Sequence, residues 1–144
     1  MTASVVVPDA SVLLKWVLES DDEEDRNRAL SIRDAWLAGR CSIVLPSLWY
    51  FEVGNVLGLK QPNMADQFME LLTAYGFEEE PPAAIYKQAF GFMKKFKVTF
   101  YDAAYHSIAT IRSGTMITAD ETYYRKTVSA GNIELLANWS VPRS

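Results

Sequence analysis

Apolar positions along the chain alternate between short continuous runs and longer periodic stretches. Residues 5–7 are three consecutive valines, a pattern typical of a strand that is buried on both faces. Similar runs predict strands at 42–45, 116–118 and 133–135, the last at a sheet edge, and a short or absent strand at 77–80. Helical periodicity with capping and breaking residues predicts helices at 11–18, 22–38, 64–75, 83–96, 101–112 and 121–130, and another from a cap at Ser47 to about Leu59.

Strands that are separated by helices favour parallel pairing through right-handed crossovers. The pattern therefore predicts an α/β fold, a three-layer α/β/α sandwich with a central, mostly parallel sheet. The 144 residues fit one domain that spans the whole chain. A chain of this size buries roughly 68–70% of its unfolded surface, so it needs no disulfide or structural metal for a stable core.

Composition excludes several classes of protein. The single cysteine, Cys41, rules out a disulfide framework and a cysteine-rich zinc site. No apolar run approaches the ~18 residues of a membrane span, and the first residues lack a basic leader. We therefore expect a soluble, cytoplasmic domain with no membrane partner.

The net charge of −4 does not exclude nucleic acid as a partner, because the acids are clustered. Five acids lie at 21–25 and three at 78–80, so eight of the 18 occupy two short runs. The other ten acids face 14 Lys and Arg residues, which is an excess of +4 over the rest of the chain. A basic surface is therefore compatible with the composition. We expect both acidic runs to be solvated loops or helix starts.

Four carboxylates occupy the ends of predicted elements. Asp9 and Asp120 each come just after a predicted strand, and ligand sites of parallel sheets form at the carboxyl ends of strands. Asp102 opens one predicted helix, and Glu52 lies in the first turn or so of another. The sequence is therefore compatible with a meeting of all four acids at one end of the sheet.

Each acid also has an ordinary structural interpretation, because Asp is a good N-cap and an acid in the first helical turn meets the helix dipole favourably. Taken singly, Asp102 and Asp120 are better explained as caps than as catalytic groups. Glu52 is different, since it interrupts the apolar stretch 48–53 with no Lys or Arg within four positions. A buried carboxylate at that position needs a partner.

If the four acids converge, protonation or a hard divalent cation must relieve their repulsion. Mg²⁺ and Mn²⁺ prefer carboxylate and water oxygens, and such sites suit phosphodiester hydrolysis. Nearby polar groups fit this chemistry, since Asn55 shares a helix face with Glu52. The hydroxyls of Ser11 and Thr118 each lie two residues from a proposed ligand, where they can hold a carboxylate, a metal-bound water or a phosphate.

Four segments, taken in order, resemble the motifs of PIN-domain nucleases. The first is Val-Pro-Asp-Ala-Ser-Val at 7–12, and the second, at 46–57, has an acid followed three residues later by Asn. The third is Phe-Tyr-Asp-Ala-Ala-Tyr at 100–105, and the fourth is Thr-Ala-Asp-Glu at 118–121. Order and spacing match over nearly the whole chain. Size and layout most resemble the toxin subunits of VapBC-type toxin–antitoxin pairs.

The resemblance implies a Mg²⁺- or Mn²⁺-dependent ribonuclease that cuts RNA and leaves a 5′-phosphate and a 3′-hydroxyl. It also implies a homodimer, held inactive by a small antitoxin protein that covers the acidic cleft. Carried over position by position, the metal ligands are Asp9, Glu52, Asp102 and Asp120, and the supporting polar groups are Ser11, Asn55 and Thr118.

Other residues have both functional and structural interpretations. Lys94, Lys95 and Lys97 lie just before the third motif, where they either contact RNA phosphates or complement a helix C-terminus. For His106, the only histidine, we expect a hydrogen-bonded place behind the site rather than a role as proton shuttle or phosphate contact. The aromatic residues at 49–51 are expected mainly in the core or at a dimer contact, rather than as a base-stacking platform.

Three alternative functions share parts of this pattern. A receiver-like phosphoacceptor needs adjacent acids after the first strand and a Lys where Asp120 stands. A haloacid-dehalogenase-type phosphatase needs a second Asp where Ser11 stands. The third alternative keeps the fold but not the enzyme: a catalytically weak PIN-like module that binds RNA or a protein partner without cleaving. An idle acidic cluster would carry repulsion to no purpose, so the ribonuclease is the favoured interpretation.

Overall fold

The computed structural model describes residues 4–19 and 21–141, and its centre is a five-stranded sheet. The strands are β1 (Ser4–Pro8), β2 (Cys41–Pro46), β3 (Glu78–Glu80), β4 (Thr115–Thr118) and β5 (Ile133–Leu135). All neighbours pair in parallel, in the order β3-β2-β1-β4-β5. The predicted α/β class and parallel sheet are confirmed, with a short third strand and β5 at an edge.

Helices flank this sheet, as the three-layer prediction requires. They are α1 (Ala10–Leu13), α2 (Glu23–Leu37), α3 (Trp49–Lys60), α4 (Ala65–Ala74), α5 (Pro82–Phe96), α6 (Phe100–Ile111) and α7 (Glu121–Thr127). Within the described residues, none of these helices has the length and hydropathy needed to cross a bilayer.

Two predicted helices are shorter in the structure than in the sequence pattern. The helix predicted at 11–18 is α1 followed by a 3₁₀ turn at Leu14–Trp16. The helix predicted at 121–130 is α7 followed by a 3₁₀ turn at Val128–Ala130. Helix C-termini commonly tighten in this way, and hydrophobic periodicity does not distinguish the tighter turn from an α-helix.

The predicted N-cap at Ser47 is wrong. Helix α3 begins at Trp49, with Leu48 in the cap position and no side-chain cap hydrogen bond. The reason is that the backbone N–H of Ser47 donates to the carbonyl oxygen of Glu80 at 3.0 Å. Ser47 therefore still belongs to the pairing between β2 and β3, and the helix starts only after the chain has left the sheet.

The two acidic runs differ in structure. The first is a helix start, as predicted: the Asp22 side chain caps α2 and three acids fill its first turn. The second, residues 78–80, is strand β3 rather than a loop or a helix start. Arg112 at the end of α6 forms ion pairs with Glu78 and Glu80, while Glu79 accepts a hydrogen bond from the Trp49 indole. Arg112 thus offsets the charge of two of the three glutamates, and Trp49 satisfies the third, in a segment whose own sequence disfavours a strand.

Helix α6 sets the geometry of the candidate site. It packs across β1, β2 and β4, and residues 103–109 are all buried. A tight turn through Gly114 leads directly from α6 into β4. The C-terminus of α6 therefore lies at the amino end of the strands, and its N-terminus, which carries Asp102, lies at the carboxyl end.

Candidate active site

Asp9 stands where β1 ends, beside the end of β4. Its backbone N–H donates to the carbonyl oxygen of Ile117 at 3.0 Å, so the pairing of the two strands continues through Asp9. Its side chain is only 4% exposed and accepts a hydrogen bond from the backbone N–H of Val12, which caps α1. The carboxylate is thus buried at the carboxyl ends of two adjacent strands.

Two hydroxyl groups hold the Asp9 carboxylate. Ser11 Oγ donates to Oδ1 at 2.5 Å and Thr118 Oγ1 donates to Oδ2 at 2.6 Å. The same two hydroxyl oxygens accept from the backbone N–H groups of Ala119 and Asp120, respectively, at 3.1 and 3.0 Å. Burial raises the pKa of Asp9 from 3.8 to about 7, and the two hydroxyl donors oppose this only in part. Ser11 and Thr118 therefore link Asp9 to the turn between β4 and α7.

Glu52 lies half-buried in the first turn of α3. The hydroxyl of Tyr105 on α6 donates to its Oε1 at 2.8 Å. Burial raises the pKa of Glu52 above its ordinary value; the bond from Tyr105 opposes this rise and the negative charge of Asp102 adds to it. The partner that a buried Glu52 requires is therefore a tyrosine, not a basic residue. Asn55 lies farther along α3 and is exposed.

Asp102 and Asp120 differ in how they relate to their helices. Thr99 caps α6 by accepting from the backbone N–H of Asp102 at 3.2 Å, so the Asp102 carboxylate is not the cap. Asp120 does cap its helix, because it accepts from the backbone N–H of Tyr123 at 3.0 Å. The capping interpretation is therefore right for Asp120 and wrong for Asp102.

Asp102 interacts electrostatically with each of the other three acids. Burial is the largest cause of the raised pKa of Asp9 and of Glu52, and the charge of Asp102 raises both further. Burial also raises the pKa of Asp102 itself, and the charge of Asp120 adds to that rise. The structure thus brings the four carboxylates to the same end of the sheet, around the start of α6.

An open cleft of about 330 Å³ lies over this end of the sheet. Asp102, Asp120 and the ring of Tyr123 line it, and so do the side chains of Lys97 and Lys126. Cationic groups therefore flank Asp102 and Asp120, whereas Asp9 and Glu52 are not among the residues that line this cleft. This arrangement can hold a polyanion at its rim and a cation between its carboxylates.

The lysines that precede Asp102 occupy two kinds of position. Lys97 ends α5 in the left-handed conformation, with φ of 58°, and lines the cleft. Lys94 and Lys95 lie exposed on the last turn of α5. The Lys95 ammonium group lies 5.2 Å from the centre of the Phe96 ring.

The family model of the PIN domain matches residues 6–128, a segment that includes all four acids. The chain belongs to the PIN domain family. Because PIN domains are a family of nucleases, the acidic cleft lies in a nuclease fold. No curated protein matches the chain at a significant level.

Three solved structures share this PIN fold. A toxin–antitoxin complex from Klebsiella pneumoniae matches with a TM-score of 0.67 and 14% identity, over 91% of this chain and 97% of that chain. PAE2754 from Pyrobaculum aerophilum matches with a TM-score of 0.64 and 22% identity, over 95% and 86%. FitAB bound to an IR36 DNA fragment matches with a TM-score of 0.66 and 18% identity, over 94% and 97%. At these identities the likeness establishes the fold.

The donor chemistry of this PIN domain fits a hard divalent cation. Carboxylate oxygens are the ligands that Mg²⁺ and Mn²⁺ prefer, and a bound cation would offset both the burial of these carboxylates, which is the main cause of the raised pKa values of Asp9, Glu52 and Asp102, and the smaller repulsion between them. Among the described residues, no group of three or more His, Cys, Asp or Glu side chains forms a ready-made ligand cluster. Mg²⁺ keeps several waters and needs only one or two carboxylates, so the fit rests on donor type rather than on a preformed cage.

His106 lies behind the cleft of the PIN domain, as expected, and is fully buried. Its ring stacks on Phe92 with centroids 4.5 Å apart. Its Nε2 contacts the carbonyl oxygen of Gly131, and its Nδ1 contacts the hydroxyl of Tyr123, both at 2.8 Å. A carbonyl can only accept, so we assign the proton to Nε2, and Tyr123 donates to Nδ1. His106 thereby orients a ring that lines the cleft.

The consecutive aromatic residues divide between core and surface. Trp49 is buried, and its indole N–H donates to Glu79. Tyr50 and Phe51 are exposed. The expectation of a core position therefore holds for one of the three.

Sequence reasoning missed three residues of the site. Tyr105 lies three positions after Asp102, on the same helix face, and that spacing was the available signal. Tyr123 and Lys126 lie on α7, after its capping residue Asp120. Nothing in the sequence around them distinguishes them from ordinary residues of a surface helix.

Proposed function

We propose that this PIN domain is a divalent-metal-dependent endoribonuclease that hydrolyses phosphodiester bonds of RNA. We propose further that it is the toxin of a type II toxin–antitoxin pair and acts in the cytoplasm. The observation that carries the proposal is the placement, within a PIN domain, of Asp102 at the start of α6 and of Asp9 and Asp120 around the buried hydroxyl of Thr118, at the same end of the sheet. Unneutralised carboxylates in such an arrangement cost free energy, which a bound cation offsets.

In this proposal Asp9, Glu52, Asp102 and Asp120 hold Mg²⁺ or Mn²⁺. When bound, the cation activates water and stabilises the leaving oxygen. The hydroxyls of Ser11 and Thr118 keep Asp9 in place, since each donates to one of its oxygens. Exposed Asn55 is a supporting polar group, available to substrate from the surface of α3.

The proposed RNA contacts form a basic strip beside the acids. Lys97 and Lys126 line the cleft, and exposed Lys94 and Lys95 extend the strip along α5. Residues 81–101 contain four lysines and no Asp or Glu. Lysine contacts to phosphate supply affinity with little sequence preference, which suits a backbone-binding rim.

A cognate antitoxin is the proposed protein partner. Two of the similar structures are, by their descriptions, a toxin–antitoxin complex and FitAB bound to DNA. The chain also has a groove of about 370 Å³ whose lining includes Ser11, Leu14, Leu18 and Val56. Because Ser11 bonds directly to Asp9, a segment seated in this groove would end beside the acids.

A homodimer is the proposed assembly. Phe51 and Leu59 on α3 are 74% and 76% exposed, and Leu71 on α4 is 58% exposed. Large exposed apolar side chains on neighbouring helices favour association. Sedimentation of the purified chain tests this proposal independently of activity.

Cleavage of a fluorescent RNA oligonucleotide tests the proposed activity. We expect cleavage with Mg²⁺ or Mn²⁺ and none in EDTA, and we expect Asp9→Asn and Asp102→Asn to lose at least ~100-fold in rate. Asp66→Asn, at an exposed position on α4, is the charge-matched control and should cleave as the wild type does. If the folded wild type binds RNA but cleaves none with either cation, the non-cleaving PIN-like module is correct instead.

A further inference from the structure

Tyr105 is a buried core residue whose hydroxyl group makes a hydrogen bond to an acid of the site. It lies on α6, one turn after Asp102, is 0% exposed and belongs to the main hydrophobic core. Burial of a hydroxyl costs free energy unless it is hydrogen-bonded, and this hydroxyl donates to Oε1 of Glu52 at 2.8 Å. A phenylalanine would fill the same space without that requirement, so the contact with Glu52 is what the hydroxyl adds.

The direction of this hydrogen bond is fixed. An ionised carboxylate has no proton to donate, so the Tyr105 hydroxyl is the donor and Oε1 of Glu52 is the acceptor. The Glu52 carboxylate is thereby fixed relative to α6, the helix that also carries Asp102.

Within the described residues, the Glu52 carboxylate has a single hydrogen-bond donor, whereas the Asp9 carboxylate has more than one. Asp9 is held through both oxygens, by Ser11 and Thr118. Among the described residues, Tyr105 is the only one that donates a hydrogen bond to the Glu52 carboxylate. A Glu side chain has several rotatable bonds, so loss of this donor frees the carboxylate to turn towards solvent.

We propose that Tyr105 is a positioning residue, whose hydroxyl holds the Glu52 carboxylate beside Asp102 for binding of a divalent cation. Tyr105 touches no reacting atom and acts only through Glu52. The inference rests on the proposed metal-dependent function. It assigns to α6 two contributions to the site: one acid, and the donor that orients a second acid on α3.

The test is a calorimetric titration of the full chain with Mn²⁺, without RNA. Tyr105→Phe removes only the hydroxyl, and we expect the Mn²⁺ dissociation constant to rise ~10–100-fold, the usual effect of removing a donor that orients a ligand. Tyr75→Phe removes a hydroxyl from a half-buried ring packed on Trp16 and Phe77, away from the acids. This control should bind Mn²⁺ as the wild type does, and circular dichroism checks the fold of both variants.

A double-mutant cycle separates positioning from general destabilisation. In a Glu52→Gln background the Tyr105 hydroxyl no longer orients a carboxylate, so Tyr105→Phe should have no further effect on Mn²⁺ affinity. An equal loss of affinity in both backgrounds would overturn the proposal. A second variant with p-aminophenylalanine at position 105 keeps an N–H donor there, and we expect its Mn²⁺ affinity to be restored towards that of the wild type. If this variant folds but binds as weakly as Tyr105→Phe, the proposal is also wrong.

The two proposals fail in different ways. Wild-type protein that neither binds Mn²⁺ nor cleaves RNA overturns the proposed function and, with it, the role of Tyr105. Wild-type protein that binds Mn²⁺ with the same affinity as Tyr105→Phe leaves the proposed function intact and overturns only the positioning role.

Discussion

The hydroxyl of Thr118 donates a hydrogen bond of 2.6 Å to Oδ2 of Asp9, across 109 residues of sequence. Thr118 is the last residue of β4 and Asp9 directly follows β1, the adjacent parallel strand. The same hydroxyl oxygen accepts from the backbone N–H of Asp120 at 3.0 Å. One side chain therefore holds one acid and fixes the backbone of a second. Because Thr118 is completely buried, water cannot replace either bond.

Thr118→Val keeps the shape of the side chain and removes both bonds. We expect the free energy of unfolding to fall by ~1–3 kcal/mol, because a buried carboxylate oxygen and a backbone N–H each lose a partner. We also expect RNA cleavage with Mg²⁺ to fall at least ~10-fold, since Asp9 loses one of its two hydroxyl donors. Urea denaturation and the cleavage assay measure the two effects.

Thr115→Val is the matched control for this prediction, since Thr115 lies half-buried on the same strand. It should leave the cleavage rate unchanged. Wild-type cleavage by Thr118→Val would show that the bond to Asp9 has no part in the activity.

The ends of two predicted strands account for the placement of two of the four acids. Short buried runs at 5–7 and 116–118 predict neighbouring parallel strands, and parallel pairing puts Asp9 and Asp120 at the same edge of the sheet, where the structure has them. For Asp102, local rules favour a cap, and only the structure shows that Thr99 has taken that role. At Asp102 the local sequence favours a helix cap, but in the folded chain Thr99 is the cap and the Asp102 carboxylate is left to face the other acids. Such conflicts between local sequence preference and folded structure are typical of functional residues.

Contacts between residues that are distant in sequence could not be predicted. The bond from Tyr105 to Glu52 spans 53 residues and leaves no periodic signal. Strand β3 consists of three glutamates, which disfavour a strand, and forms because Arg112 neutralises two of them. In both cases a distant partner overrides the preference of the local segment.

Gly114 allows β4 to start directly beside β1. A Cβ at this position would stand 2.5 Å from the carbonyl oxygen of Val5, so we expect Gly114→Ala to lower the free energy of unfolding by ~1–3 kcal/mol. Gly91→Ala, in the exposed face of α5 where a Cβ would meet nothing within 4 Å, should instead raise it by ~0.5–1 kcal/mol. Denaturant unfolding of both variants measures this contrast. If Gly114→Ala unfolds with the same free energy as the wild type, or a higher one, the close approach at Gly114 does not limit packing.

His106 makes stability depend on pH below neutrality. Burial lowers the pKa of His106 from its ordinary 6.5, so the unfolded chain binds a proton that the folded chain excludes. Stability from this group is therefore complete above the unfolded pKa of 6.5 and is lost as pH falls below it. Protonation would also remove the acceptor that Nδ1 offers to Tyr123.

His106→Gln isolates this effect, because the carboxylates are the same in both proteins. We expect the difference in free energy of unfolding between wild type and variant to shrink as pH falls from about 7.5 to about 5, by on the order of 1 kcal/mol. Urea denaturation at several pH values measures it. A difference that stays constant over this range would contradict a buried, neutral His106.

The acidic site should oppose the stability of the PIN domain until a cation binds. Asp102→Asn removes the charge that interacts with the other three acids, so in EDTA we expect the variant to be more stable than wild type by ~0.5–2 kcal/mol.

Added Mn²⁺ should reverse this order of stability, so that the wild type becomes more stable than Asp102→Asn. At 100 times its dissociation constant, a cation stabilises wild type by ~2.7 kcal/mol, which is a rise in Tm of roughly 8 °C for a chain of this size. The variant should respond less, and Asp66→Asn, whose carboxylate lies outside the site, should respond as wild type does. Thermal melts with and without Mn²⁺ measure both shifts; an Asp102→Asn protein that is less stable than wild type in EDTA would mean that repulsion among the acids is not what the cation relieves.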